Sequence, residues 1–146
     1  MKSARDLFQK ISYLQYPLYL VGLFYVFLPL TNKLSTLLHD YNMALIFYGL
    51  GISFSTLQDT TKSQNNFSKK IWESPTRSKV FLVYIGLFAL IFTIAGIIGL
   101  LAENLNTLHE LAFGLVSLGV GLLGVLKSGM EMAEHHQKKT EQEKKC

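Results

Sequence analysis

Cysteine is almost missing from this chain: the 146 residues hold one, Cys146. One thiol cannot close an internal disulfide, and four-helix thiol oxidoreductases work through cysteine pairs, so that class is excluded. With Cys146 as the last residue given, no prenylation box is expected, and the thiol reads as incidental. Charge is missing from long stretches. Val80 to Leu101 contains no Asp, Glu, Lys, Arg or His, and neither does Leu111 to Leu126. Proton- and ion-coupled carriers ordinarily carry ionisable groups at mid-membrane, which argues against coupled transport. A His-Glu-x-x-His motif is absent as well, and no nucleophile stands with a base in an apolar run, which argues against hydrolysis and against an enzyme of any kind.

What is present is apolar and comes in blocks. The stretch from Lys79 to Lys127 consists of two uncharged runs around the polar hinge Glu103-Asn104-Leu105-Asn106-Thr107. Each is long enough to cross a hydrocarbon slab of roughly 30 Å as a helix. The same plan occurs from about Leu14 to Leu57, around a hinge at Thr31 to Asp40. The expected fold is therefore all-α: a four-helix transmembrane bundle of two tandem, parallel-repeat helical hairpins. It forms one integral membrane domain over 1–146, with hairpin 1 at about 12–58, a cytoplasmic loop at 59–79, hairpin 2 at about 80–127 and a cytoplasmic tail at 128–146.

The charges flank these blocks. Lys and Arg number 14 against 10 Asp and Glu, for a net charge of +4. Three of the basic residues precede the first span, five (Lys62, Lys69, Lys70, Arg77, Lys79) lie between the hairpins, and five (Lys127, Lys138, Lys139, Lys144, Lys145) follow the last span. The hairpin tips hold one, Lys33. This alternation predicts cytoplasmic termini and a cytoplasmic central loop, and it leaves the basic balance to lipid headgroups rather than nucleic acid.

In chain order, Met1 to Lys10 is short and basic, without a small-residue cleavage site, so it does not read as a cleaved signal peptide. The first span is expected over Ser12–Leu30. Pro17 would sit in its first turn, Pro29 would close it, and Tyr13, Tyr16 and Tyr19 would form an aromatic belt. In the central loop, Phe67, Ile71 and Trp72 beside Lys69 and Lys70 suit an interfacial anchor; a loop touching the bundle fits equally. Beyond Lys127, Glu131/His135, Glu134/Lys138 and Glu141/Lys145 at i,i+4 predict a solvated helical extension that frays toward its end.

A shift of 70 residues sets Leu38-His39-Asp40 on Leu108-His109-Glu110, Ala44-Leu45-Ile46 on Gly114-Leu115-Val116, and Gly49-Leu50-Gly51 on Gly119-Val120-Gly121. Duplication of a two-helix unit explains this, and both copies would enter from the same side, unlike the inverted repeats of many transporters. With its duplicated unit, short outer hinges and the polar run Gln58-Asp59-Thr60-Thr61-Lys62, the chain resembles the bacterial inner-membrane YiaA/YiaB family; its second copy, from Ser128 on, lacks that run. The glycine-rich hairpin from Phe88 to Gly129 is also similar to acid-resistance membrane proteins of the HdeD type. Both resemblances imply a compartment, the bacterial inner membrane, rather than a reaction.

Two residue sets stand out. Gly114, Ser117, Gly121, Gly124 and Ser128 form one stripe of small residues, and Gly86, Ala89, Thr93 and Gly96 form another. Such stripes let helix backbones approach in lipid, either inside the bundle or between copies. His39, Asp40, His109 and Glu110, with Glu103 near, offer imidazoles and carboxylates of the kind that bind Zn²⁺. The competing reading is a capping box at Thr107-Leu108-His109-Glu110 and ordinary polarity at a water boundary. Met130, Met132, His135 and His136 raise a copper site only against the plainer reading of a helical extension.

No cofactor is expected. The expected partners are membrane lipids and either further copies of the chain or a larger membrane protein. The expected role is a non-enzymatic scaffold, a stress-linked envelope protein or an accessory subunit. The alternatives are an oligomeric channel for a small solute and a metal-binding protein using His39 and His109.

Overall fold

The computed structural model describes residues 2–31, 36–57, 74–102 and 106–145. Five helical segments account for nearly all of them: α1 (Lys2–Ser12), α2 (Gln15–Thr31), α3 (Leu37–Ser55), α4 (Pro75–Leu101) and α5 (Asn106–Lys145). Among the described residues there is no strand. The proposed anchor Phe67, Ile71 and Trp72 lies outside them.

Helix α1 is a finding beyond the expected spans. Its separation from α2 at Tyr13-Leu14 follows from Pro17, whose ring excludes a hydrogen bond to the carbonyl four residues earlier, at Tyr13. The Tyr13 carbonyl accepts instead from the Tyr16 N–H at 3.2 Å, and the Leu14 N–H donates to Ile11 at 3.0 Å, so the chain tightens there. Pro17 thus sits in the first turn of α2 and also sets where that helix begins. Pro29 does not end α2 but lies buried in its last turn. Tyr13 and Tyr16 stack at 6.3 Å, whereas Tyr19 leaves the expected belt and turns inward against Tyr48 and Gly51 of α3.

Among the described residues three helical stretches are long and apolar enough to cross a membrane: Asp6–Leu30, which runs across the α1–α2 junction, Thr76–Leu101 and Asn106–His135. α3 is not among them, because its first turns carry His39, Asp40 and Asn42. It tolerates this polarity because it is an inner helix, flanked by α2 on one side and α5 on the other. α4 begins at Pro75, five residues before the expected span, with proline at the first helical position where its missing N–H is harmless. α5 runs unbroken for 40 residues, about 60 Å, and reaches Lys145 without interruption. Beyond the apolar run Lys127 and Glu131 pair at 3.9 Å, an exposed contact of small energetic weight.

The helices pack as a row. α4 lies on α5, α5 on α3, and α3 on α2, with a slight contact of α1 on α3. Among the described residues α2 and α4 share no comparable interface, so the four long helices form an open layer rather than a closed ring. Direction follows from the contacting residues. Gly22 meets Ala44 and Tyr48 while Gly51 meets Tyr19, so α2 and α3 are antiparallel. Gly86 meets Leu126 while Gly99 meets Leu108, so α4 and α5 are antiparallel too. Between α3 and α5, Gly114 meets Asn42, Gly121 meets Ile52 and Gly124 meets Thr56, so the central pair is parallel.

Small residues make these approaches possible. A Cβ on Gly121 would lie 2.6 Å from the Gly49 carbonyl oxygen, and one on Gly96 would lie 2.6 Å from Val116 Cγ2. Gly86 differs, since its added Cβ would meet Leu126 Cδ2 at 3.5 Å, an ordinary contact. Gly121→Ala is therefore expected to destabilise the fold by about 1–3 kcal/mol through overpacking. Gly86→Ala should be neutral, or stabilising by up to about 1 kcal/mol from helix propensity. Thermal unfolding in detergent followed by circular dichroism checks both; equal effects at the two positions would contradict the α3–α5 interface.

Candidate functional site

The polar residues named by the sequence lie in the first turns of α3 and α5. Asp40 is buried in the first turn of α3, and its Oδ2 accepts a hydrogen bond from Thr36 Oγ1 at 3.0 Å. A carboxylate near a helix N-terminus is also favoured by the helix dipole. His39, one residue earlier, is exposed. On α5, His109 and Glu110 are both exposed, yet His109 has a specific partner: its Nδ1 lies 2.9 Å from the Gly99 carbonyl oxygen near the end of α4. A carbonyl only accepts, so Nδ1 carries the proton in this contact. His109 thereby ties the two arms of the second hairpin together.

Because α5 already begins at Asn106, Thr107 lies inside the helix rather than at its cap, and the capping-box reading of Thr107 to Glu110 gives way to this tie. Among the described residues no group of three or more His, Cys, Asp and Glu side chains comes together. Glu103 lies outside the described residues, as do the side chains from His136 onward.

The connection that sequence reasoning missed is Asn42. Its side chain is buried, and its Oδ1 accepts a hydrogen bond from the Gly114 backbone N–H at 2.7 Å across the α3–α5 interface. Gly114 permits this because its bare backbone lets Asn42 come close; a Cβ there would lie 2.8 Å from that same oxygen. One turn further on, Ser117 Oγ donates to the Ile46 carbonyl at 3.2 Å. These two bonds join residues 72 and 71 positions apart. The only sequence signal for Asn42 was an amide at the start of an otherwise apolar run.

The stripe residues lie at helix contacts within the chain. Gly114, Ser117, Gly121 and Gly124 face α3, where they meet Asn42, Gly49, Ile52 and Thr56. On α4, Gly86 faces Leu126, Ala89 and Thr93 face Gly119, and Gly96 faces Val116. Gly49, Gly99 and Gly119 belong to the same contacts although neither stripe included them.

Hydroxyl groups along the helices are occupied. Ser53 donates to Gly49, Ser55 to Ile52, Thr56 to Ser53 and Thr93 to Ala89, all to backbone carbonyls one turn back. Such back-bonding hides the hydroxyl and leaves little for a polar solute to exchange with.

Asn42→Leu is expected to cost about 1 kcal/mol in detergent stability, the scale of hydrogen bonds between apolar helices. It should also speed hydrogen exchange at the Gly114 amide. Exchange at Gly114 unchanged in the variant would show that the bond carries no protection.

No protein-family model, curated protein or solved structure matches this chain, so the functional reading rests on its own residues and geometry.

Proposed function

We propose that the chain is a small, non-enzymatic integral protein of a bacterial inner membrane, a scaffold or accessory subunit that lays its outer helices against a larger membrane partner. Both termini and the segment between the hairpins lie in the cytoplasm on this reading. The observation that carries it is the open row. Among the described residues each outer helix is covered along one side, and the other side is apolar: Leu20 of α2 is 70% exposed and Leu101 of α4 is 79% exposed. Acyl chains solvate such sides, and a partner helix can replace them at either edge of the row without disturbing the central pair. The basic segments at alternate crossings support the orientation. The parallel pairing of α3 and α5, bridged by bonds close to the 70-residue shift, supports duplication of a two-helix unit. A duplicated two-helix unit is a feature on which the sequence resembles the YiaA/YiaB family, and that resemblance favours the bacterial inner membrane as the compartment.

A solute path fits less well. The central helices meet backbone to backbone at Gly49, Ser117 and Gly121, and the hydroxyls nearby are held by carbonyls. A path would have to form between copies of the chain.

Native mass spectrometry of the protein extracted gently from its own membrane tests the role. The expected result is a complex that contains a foreign subunit; a bare monomer would overturn the accessory reading. Orientation is tested with Cys146, the single native thiol. A membrane-impermeant maleimide should leave it unlabelled in intact cells and label it after lysis, and labelling from outside would reverse the assigned topology.

A further inference from the structure

Helix α1 divides into an apolar and a charged side. At about 100° per residue, Leu7, Phe8 and Ile11 fall within an arc of about 100°, and Asp6, Gln9 and Lys10 share an arc of similar width on the opposite side. Leu7 and Phe8 are 57% and 48% exposed, and Asp6 and Lys10 are exposed as well. The segment is basic, with Lys2, Arg5 and Lys10 against one acid, Asp6. At its end Ser12 is fully buried and donates to the Gln9 carbonyl at 2.8 Å, which seats α1 on the rest of the chain.

The helix contacts fix the depth of α1 relative to the spans. Gly51 meets Tyr19, and Thr56, five residues further along α3, meets Gly124. α2 runs the opposite way, so five residues back from Tyr19 brings Leu14 about level with Gly124. Lys127, which closes the uncharged run of α5, then stands about level with Ile11. α1 thus begins where the charged end of α5 leaves the apolar layer.

We propose that α1 lies on the cytoplasmic surface of the membrane and binds anionic lipid there, with Leu7, Phe8 and Ile11 among the outer ends of the acyl chains and Lys10 at the headgroups. The inference rests on the membrane reading above. A helix with a narrow apolar stripe and a basic polar side has the composition that settles in the interfacial plane. The tightened turn at Tyr13-Leu14 separates α1 from α2 and so lets it take its own direction. A protein groove would cover the apolar stripe alone and leave the basic side in water. An anionic headgroup layer engages both sides at once, and the cytoplasmic leaflet is where such lipids attract basic segments close to a span.

The test uses the full chain with Cys146→Ser and one new thiol, Leu7→Cys, Asp6→Cys or Ile91→Cys, carrying an environment-sensitive fluorophore. The proteins are reconstituted in vesicles of equal phosphatidylglycerol and phosphatidylcholine. A nitroxide just below the headgroups should quench the Leu7→Cys probe more than the Asp6→Cys probe, and aqueous iodide should reverse that order. Adding Lys10→Gln should lower the ratio of surface-bound to free α1 about fivefold, the scale of one basic residue at an anionic surface. Equal quenching of the Leu7 and Asp6 probes overturns the proposal, and so does an unchanged ratio in phosphatidylcholine alone. Protection of the Leu7 probe from iodide in native membranes but not in vesicles would assign the stripe to a protein partner and overturn it as well. The Ile91 probe, on the exposed side of α4, separates the two readings. If lipid nitroxides leave it unquenched, the membrane reading fails; if they quench it and not the Leu7 probe, the assignment of α1 fails alone.

Discussion

The structure depends on close backbone approach on two sides of the same helix. α3 must touch α2 and α5, and α5 must touch α3 and α4, in a row that among the described residues has no comparable interface between α2 and α4. Residues two apart on a helix are turned by about 200°, so they face nearly opposite directions. Gly49-Leu50-Gly51 and Gly119-Val120-Gly121 supply that arrangement. Gly49 meets Ser117 on α5 while Gly51 meets Tyr19 on α2; Gly121 meets Gly49 on α3 while Gly119 meets Thr93 on α4. Each inner helix therefore has one glycine for its sister and one for its own hairpin partner. Among the described helices the outer helix α4 meets α5 alone, and for that contact it needs a single stripe at three- and four-residue spacing.

The two glycine pairs are used in opposite order along the chain. A two-fold axis acting on the 70-residue shift would turn Gly49 and Gly119 to equivalent faces, yet Gly49 faces the sister helix and Gly119 the hairpin partner. The bonds across the centre, at separations of 72 and 71, show the same small departure from 70. α5 is thus rotated relative to α3 by about the angle that separates neighbouring glycines of a pair. A G-x-G sequence tolerates this, because either glycine can serve either neighbour. The polar bonds then select one arrangement: Asn42 has a partner only if Gly114 comes beneath it.

Much of this was legible beforehand, and the limits have physical causes. The existence of the long helices follows from uncharged runs such as Val80 to Leu101, and the stripes on α4 and α5 follow from helical spacing. A search for one stripe per helix finds Gly121 and passes over Gly119, because it assumes one buried side, and the inner helices have two. Row and ring satisfy the same stripe pattern on α4, so sequence does not separate them. The first turns of α3 look too polar for a helix facing lipid, and only its place between two neighbours explains Asp40 and Asn42. The cluster of His39, Asp40, His109 and Glu110 was visible as composition. Its actual bonds, Asp40 with Thr36 and His109 with Gly99, depend on which helix end lies beside which. The break before α2 was written in Pro17, but reading it required asking which carbonyl that ring would displace.

An open row has a consequence that a ring does not. In a closed four-helix ring each helix has two neighbours and a common interior, so the faces turned outward are equivalent and a partner must attach to the outside of a finished unit. In a row the two terminal helices each lack a second neighbour, and adding a helix there extends a pattern already present. The interfaces within the row rely on small residues and short polar bonds, Asn42 to Gly114 and Ser117 to Ile46 among them. A further helix would need its own small residues to approach equally closely. The outward sides of α2 and α4 are instead built from large residues such as Phe24, Phe27, Ile91 and Ile94. Those sides suit a looser, exchangeable contact, whether with lipid chains or with a partner, while the glycine-lined centre stays fixed.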